Sequence, residues 1–289
     1  MILVKITGGL GNQMFQYAAA KYVASKIRET VYFDKSFFQN PNHLHEVFRL
    51  NEFNTKGISL KPVYWNFPIL YTHWFFRKIP FIRRFIHSFQ EDILQENFEY
   101  NVSDLKLVSN SYINGLWHTK FFADSIREEL LNEFTPKNIE DKRYFEIKKN
   151  MINQKSVSIH VRRNDFINHE RASSISGALG MDYYIKAIDF FRKDYQDLRF
   201  YFFSDDIEWC KTHFQDDDFC FIDPFQSPIL DLTLMSFCSH TIMANSTFSW
   251  WGAWLNLNLK KRVIYPKNFY KNKSNDDIRF MFDKTWIEL

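Results

Sequence analysis

Apolar residues come in short blocks along this chain, and the blocks change period. ILVKI, residues 2–6, is an apolar, β-branched run that reads as a strand. A glycine-rich turn follows, then MFQYAAAKYVASKI, which suits a helix. Val31-Tyr32-Phe33 reads as a second strand, so the opening is β–α–β and predicts a parallel sheet. Between 40 and 150 the pattern is less regular. Tyr112 to Leu116 reads as a strand, and DSIREELLNEF as helical.

From residue 156 the alternation is clear. SVSIHV is a strand, and DYYIKAIDFFRKDY a helix with Tyr184, Ile185, Ile188 and Phe191 on one face. RFYFF is the next strand, followed by Ser204-Asp205-Asp206 and a helix beginning near Ile207. Ile229 to Cys238 reads as a helix and Thr241-Ile242-Met243 as a strand. NSTFSWWGAWLNL opens on Ser and Thr, good N-cap residues, and continues as a helix. RVIYP is the last strand, ended by Pro266. Repeated β–α units predict an α/β chain with a doubly wound sheet in the second half. The expected organisation is two Rossmann-like halves, 1–150 and 151–289, facing across a cleft.

Composition narrows the class. A chain of 289 residues holds one or two domains at about 100–200 residues each. Hydrophobic residues at 45% and charged residues at 25% are those of a globular protein. A net charge of +3 is too small to point to nucleic acid. Cys210, Cys220 and Cys238 are odd in number and lack CxxC spacing, which argues against a disulfide framework or a zinc site and for a reducing compartment. MILVKITGGLGNQMF lacks the features of a secretory signal, and no run of about 20 apolar residues occurs. A cytoplasmic protein is expected. Residues 61–90 combine Trp, Phe and Tyr with Lys61, Arg77, Lys78, Arg83 and Arg84, and contain no acid. Two readings stand side by side: an irregular packed insert with snorkelling cations, or a peripheral patch for an anionic membrane face.

Open parallel sheets bind ligands beyond the carboxyl ends of their strands. Four polar clusters fall there: GGLGNQ, HVRRND, FSDD and NSTFS. In HVRRND, alternation puts Val157, Ile159 and Val161 on one face and Ser158, His160 and Arg162 on the other. Arg162 is then placed to project from the strand end, where its planar fork suits phosphate. The plainer reading is a strand end neutralised by an Arg–Asp pair. GGLGNQ has Gly9 and Gly11 but Met14 where a dinucleotide fingerprint has its third glycine. A tight turn with one positive φ explains it as well, with amides still able to face an anion. Asn245, Ser246, Thr247 and Ser249 exceed what one helix cap needs and suit a phosphate seat. Of Asp205 and Asp206, one can cap the next helix and the other accept from a ribose or guanine; a magnesium pair is the less favoured alternative. Trp250, Trp251 and Trp254 read as core, and Asp216, Asp217 and Asp218 as a solvated loop.

GGLGNQMFQYA, HVRRND, FSDD and NSTFSWWGAWL, in that order, resemble the α-1,2-fucosyltransferase family, from residue 8 to about 256. Asn164 departs from the family, which usually has glycine there. The resemblance implies a GT-B fold, GDP-β-L-fucose as donor substrate, no metal and no other cofactor. It implies inverting transfer to the 2-hydroxyl of a terminal galactose in an oligosaccharide or lipid-linked glycan, as in polysaccharide biosynthesis. By the same resemblance, Arg162 binds the β-phosphate, and His160 and Asp205 meet the guanosine, with Asp206 beside them. Ser246, Thr247, Phe248 and Ser249 surround the diphosphate, and the turn with Gly9, Gly11 and Asn12 closes over it from the other domain. For a catalytic base the chain offers Asp165, His169, Glu170 and Asp182, with Asp165 and Glu170 placed beside Arg162 in the catalytic set. Rival functions are a transferase for another GDP-sugar or linkage, a non-catalytic nucleotide- or glycan-binding protein, and a metal-dependent nucleotidyl enzyme using Asp205 and Asp206.

Overall fold

A computed structural model describes residues 1–41, 46–59, 87–90, 111–164, 176–271, 274 and 276–289. The chain divides into two compact units, Met1–Thr135 and Pro136–Leu289. Sequence had set the division at 150/151. The helix Lys142–Asn153, which runs across that line, belongs whole to the second unit, where it packs on the strand that follows it.

The first unit holds a parallel sheet of β1 (Ile2–Lys5), β2 (Val31–Asp34), β3 (Ile58–Ser59), β4 (His87–Gln90) and β5 (Ser111–Asn114). Their order is β3-β2-β1-β5-β4, so the strand order reverses between β1 and β5. The crossover helix α1 (Leu10–Ile27) is buried along most of its length, with Met14, Phe15, Tyr17 and Ala18 in the core. Such a helix buries residues on several sides, polar Gln13 and Gln16 among them, rather than along one apolar stripe. Two short helices, α2 (Lys120–Ser125) and α3 (Arg127–Glu133), close the unit. Tyr17 of α1 donates its hydroxyl to the buried carboxylate of Glu133, which also pairs with Lys21 at 2.9 Å. This ties α1 to α3.

The second unit contains α4 (Lys142–Asn153), β6 (Lys155–Val161), α5 (Met181–Asp194), β7 (Leu198–Ser204), α6 (Ile207–His213) and β8 (Phe219–Phe221). It continues with α7 (Pro228–Met235), β9 (His240–Ile242), α8 (Thr247–Leu255), β10 (Val263–Tyr265) and β11 (Ile287–Glu288). All six strands are parallel, in the order β11-β10-β9-β6-β7-β8. Counted from β6, this is the doubly wound order of dinucleotide-binding folds, with its reversal between β6 and β9. β6 is buried on both faces: Val157 and Ile159 are 0% exposed and so is Ser158. Parallel sheets are covered on both faces, which is why these strands read as near-continuous apolar runs.

Local chemistry sets the helix starts. Asp141 accepts from the Arg143 amide to open α4, Asp206 from Trp209 to open α6, and Ser227, with Pro228 at the first position, opens α7. α7 and α8 approach closely at Gly252, where an added Cβ would meet Met235 Cε at 3.0 Å. One face assignment changes: in α5 Ala187 is buried and Ile185 is 43% exposed, so the core stripe is Tyr184, Ala187, Ile188 and Phe191. Trp250, Trp251 and Trp254 are core residues, 1%, 0% and 3% exposed. Among the described residues no helix is long and apolar enough to cross a membrane. Of the aromatic and basic stretch 61–90, residues 61–86 lie outside the described residues and His87–Gln90 forms β4.

Candidate active site

In the second unit the ends of β6 and β9 flank the point where strand order reverses. Arg162 and Arg163 leave β6 and are separated at once. Arg162 Nε lies 3.3 Å from Asp205 Oδ2, with its side chain 31% exposed. Arg163 lies 3.5 Å from Asp206 Oδ2, and its guanidinium covers the Trp209 ring at 3.7 Å. The Arg163 amide donates to Asp205 Oδ1 at 2.9 Å. The two carboxylates of FSDD therefore differ. Asp206 caps α6, accepting from the Trp209 amide at 3.3 Å, while Asp205 anchors the end of β6. The Arg–Asp pairing weighed from sequence is present, and Arg162 remains the more exposed of the two arginines. Asn164, where the resembled family has glycine, donates its amide to the Asp205 carbonyl. It thereby links the ends of β6 and β7, which glycine could not do.

Beyond β9 the chain turns into α8. Ser246 caps it, its hydroxyl accepting from the Phe248 amide at 3.2 Å. Ser249 is fully buried and donates to the carbonyls of Ala244 and Ser246 at 2.9 and 3.0 Å. Its hydroxyl thus braces the turn from inside. Thr247 and Phe248 are half-buried at the helix start. Asn245 donates to the carbonyls of Ser176 and Gly177 at 3.2 and 2.9 Å, and its buried Oδ1 has no hydrogen-bond partner among the described residues. This Asn fixes the segment before α5 against the turn before α8.

His160 packs on Phe248, ring centroids 5.1 Å apart. Burial, then the Arg162 charge, pushes its pKa down to about 3, so the imidazole is neutral at physiological pH. Its Nδ1 is buried without a hydrogen-bond partner among the described residues. Leaving a buried polar atom unmatched costs about 1–3 kcal/mol, so such atoms concentrate where a ligand or a mechanism uses them.

In the first unit the GGLGNQ turn is organised by its own helix. Gly8 takes the one positive φ, +72°, and Gly9 opens α1 with ordinary extended backbone. Gly11 is buried within the first turn of α1. Gln13 and Gln16, 0% and 1% exposed, hold the turn. Gln13 donates to the carbonyls of Gly8 and Val47 at 2.9 and 2.8 Å and accepts from the Arg49 amide at 2.9 Å. Gln16 accepts from the Thr7 amide at 2.9 Å and donates to its hydroxyl at 2.7 Å. Asp34, the acid at the end of β2, is 1% exposed and bound by the Tyr112 hydroxyl and the Ser36 amide, both at 2.9 Å. A ribose-binding acid would need open lone pairs there, so nucleoside recognition fits the second unit better.

The base candidates Asp165, His169 and Glu170 lie outside the described residues. Asp182 is exposed in the first turn of α5. Among the described residues no cluster of three or more His, Cys, Asp or Glu side chains is placed to hold a metal ion. Sequence reasoning missed Gln13, Gln16 and His118. The glutamines lay within the GGLGNQMFQ block, where a buried amide looks like any helix residue; His118 sits in no motif.

The glycosyl transferase family 11 model matches residues 1–289. An O-antigen biosynthesis glycosyltransferase, WbnK of Escherichia coli, is 30% identical over 98% of this chain and 99% of its own. An α-1,2-colitosyltransferase of the same organism is 32% identical over 88% and 87% of the two chains. Among solved structures, the NodZ α-1,6-fucosyltransferase soaked with GDP-fucose superposes with a TM-score of 0.53. It is 14% identical and covers 88% of this chain and 92% of its own, a likeness of fold. The α/β architecture of two parallel sheets is that of the GT-B fucosyltransferases. The motifs at the strand ends and the match along the whole chain agree: this protein belongs to glycosyl transferase family 11.

Proposed function

We propose that the protein transfers L-fucose from GDP-β-L-fucose to the 2-hydroxyl of a terminal galactose, inverting the anomeric centre to an α-1,2 linkage. The observation that carries this reading is the placement of Arg162 and the start of α8 on the two strands that flank the reversal of strand order. A diphosphate seated there meets a cationic fork and the amide end of a helix.

The chemistry follows from that seat. The acceptor oxygen attacks the anomeric carbon from the face opposite the diphosphate, and the bond from carbon to phosphate oxygen breaks. Negative charge grows on the departing GDP. Donors fixed where that charge develops each lower the barrier by about 2.7–4 kcal/mol. Arg162 and the α8 amides supply those donors, with Ser246, Thr247 and Phe248 at the helix start. His160, neutral and packed against Phe248, suits hydrogen bonding to an uncharged edge of the guanosine, with Asp205 holding Arg162 in place. The acceptor proton goes to Asp165 or Glu170 in this reading. No divalent ion is required, so EDTA leaves turnover unchanged.

A second reading has a specific support: a relative 32% identical is a colitosyltransferase. Colitose is the 3-deoxy form of fucose, so one hydroxyl distinguishes the donors. GDP release from GDP-fucose and GDP-colitose, each with a panel of β-galactosides and with or without EDTA, tests the proposal. Turnover of GDP-fucose with a new α-1,2 linkage supports it; turnover of GDP-colitose alone replaces the donor, and dependence on added metal overturns the metal-free mechanism.

A further inference from the structure

The amino edge of the second unit's sheet carries leucine and lysine side by side. After α8 comes Asn256-Leu257-Asn258-Leu259-Lys260, two asparagines alternating with two leucines. The asparagines face the protein. Asn256 is 1% exposed; its Nδ2 donates to the Cys238 carbonyl at 2.7 Å, and its Oδ1 accepts from the Asn258 amide at 2.8 Å. Asn258 donates to the Ser239 carbonyl at 3.0 Å and accepts from the Lys260 amide at 2.9 Å. Lys261 reaches back to the carbonyls of Ala253 and Asn256 and closes the end of α8. The loop is thus pinned at every second residue, and the leucines between turn outward: Leu257 is 65% exposed and Leu259 fully exposed.

Hydrogen bonds join this loop to the end of α4. Ser239 and Ser156 each donate an amide to the other's hydroxyl, at 3.2 and 3.3 Å, and the Ser156 hydroxyl donates to the Met151 carbonyl at 2.8 Å. The next residue, Ile152, is 56% exposed, and Phe145, seven positions earlier on the same helical face, is exposed too. Lys149, Lys155 at the start of β6, and Lys260 are exposed around them. No Asp or Glu occurs from 147 to 164 or from 232 to 275. Along the edge, Asp194 is paired with Arg262, and Asp197, just before β7, bounds the basic stretch.

Single exposed leucines are ordinary on a protein surface. Here they stand on a loop already fixed in place, beside cations. An anionic bilayer suits both features: apolar tips enter the acyl boundary while lysines meet the phosphate headgroups. A second copy of this chain suits them less, since a twofold contact sets these lysines against their own images.

We propose that this edge docks on an anionic phospholipid bilayer, with Leu257 and Leu259 inserted and Lys149, Lys155 and Lys260 over the headgroups. Few apolar residues contribute, so the contact is reversible and weakened by salt. The surface lies at the strand ends opposite Arg162, so docking and turnover are separable by mutation. It is also independent of the donor reading.

The test is co-sedimentation, without substrate, with vesicles of phosphatidylethanolamine and phosphatidylglycerol and with vesicles of phosphatidylcholine alone, at low and high salt. Wild type is expected to bind the anionic vesicles at low salt, to be released by high salt and to leave phosphatidylcholine unbound. Leu257→Ser with Leu259→Ser should lower the partition coefficient roughly tenfold or more, the scale of withdrawing two leucines from an apolar phase. Lys155→Gln with Lys260→Gln should lower it and flatten its salt dependence. Both double variants should melt with wild type; if the leucine pair does not, Leu259→Ser alone, at the fully exposed tip, decides. Absence of binding overturns the proposal, and so does wild-type binding by the leucine variants, which places the contact on another surface. A wild-type dimer in sedimentation velocity that the leucine variant dissolves, with vesicle binding unchanged, replaces the bilayer with a second copy.

Discussion

The guanidinium carbon of Arg163 lies 3.7 Å from the centroid of the Trp209 ring. Its neighbour Arg162 keeps a more exposed side chain, beside Asp205. Two adjacent arginines thus have separate surroundings: Arg163 locks the start of α6 to the end of β6, and Arg162 is the one proposed to hold the leaving diphosphate. Arg162→Ala should abolish GDP release from GDP-fucose with an unchanged melting temperature. Arg163→Ala removes a stacked cation worth about 0.5–2 kcal/mol. At roughly 2–4 °C per kcal/mol for a unit of this size, it should melt a few degrees lower. Equal melting temperatures, or full activity in Arg162→Ala, would reverse the assignment.

Acid should unfold the second unit through two buried histidines. Burial, then Arg162, sets the pKa of His160 at about 3, and burial, then Arg262, that of His240 at about 4. Both lie below the ordinary value near 6.5. The unfolded chain therefore binds protons that the folded chain refuses. The stability these groups contribute is present above pH ~6.5 and is lost as pH falls toward 3–4, by about 1.4 kcal/mol per pH unit for each. In thermal melts between pH ~7.5 and ~4.5, His160→Gln should show the shallower decline. Parallel curves for variant and wild type would refute the assignment.

Asp231 acts in the opposite sense. Burial raises its carboxyl to about 7, against the lowering effect of the Phe225 amide, 3.3 Å away, and of Arg143. A carboxyl raised in the folded state stabilises the fold in acid, and that stability is lost as pH climbs from ~4 through 7. Asp231→Asn keeps the acceptor for the Phe225 amide and carries no charge. Its melting temperature relative to wild type should rise between pH ~5 and ~8. A constant difference across that range would place the charge elsewhere.

The two glycines of the β1 turn should separate cleanly. Gly8 has φ of +72°, and a Cβ there meets Asn12 Nδ2 at 2.8 Å, whereas a Cβ on Gly9 meets nothing within 4 Å. Gly8→Ala should lower stability by about 1–2 kcal/mol and turnover further still. Gly9→Ala should leave the melting temperature unchanged.

Much of the second unit was legible because parallel strands buried on both faces announce themselves as apolar runs, each ending in a polar cluster. The need for one positive φ in GGLGNQ was readable too, and Gly8 meets it. Roles within a cluster were not. FSDD does not say which aspartate caps α6; only the geometry at Trp209 does. The α5 face was read with Ile185 because hydrophobicity outweighs size in a pattern, while the helix buries the small Ala187. Ser249 reads as a ligand hydroxyl until its two internal carbonyl partners are seen. The contact of His118 with Asn12 was invisible, since it follows a backbone bend at Trp117 and joins residues 106 positions apart.

The ladder between β6 and β7 pairs seven residues in turn, ending with Val161 opposite Ser204. Extended by one rung, that alignment sets Arg162 opposite Asp205, so their meeting is decided by strand pairing before any side chain chooses a partner. Deleting a single residue from β6 would shift the numbering against its neighbour and bring Arg163 to the rung now held by Arg162. The side chains would then emerge on opposite faces. The meeting of Arg162 and Asp205 is therefore a property of how two strands are aligned, and an indel far down β6 would undo it as surely as a substitution at its tip.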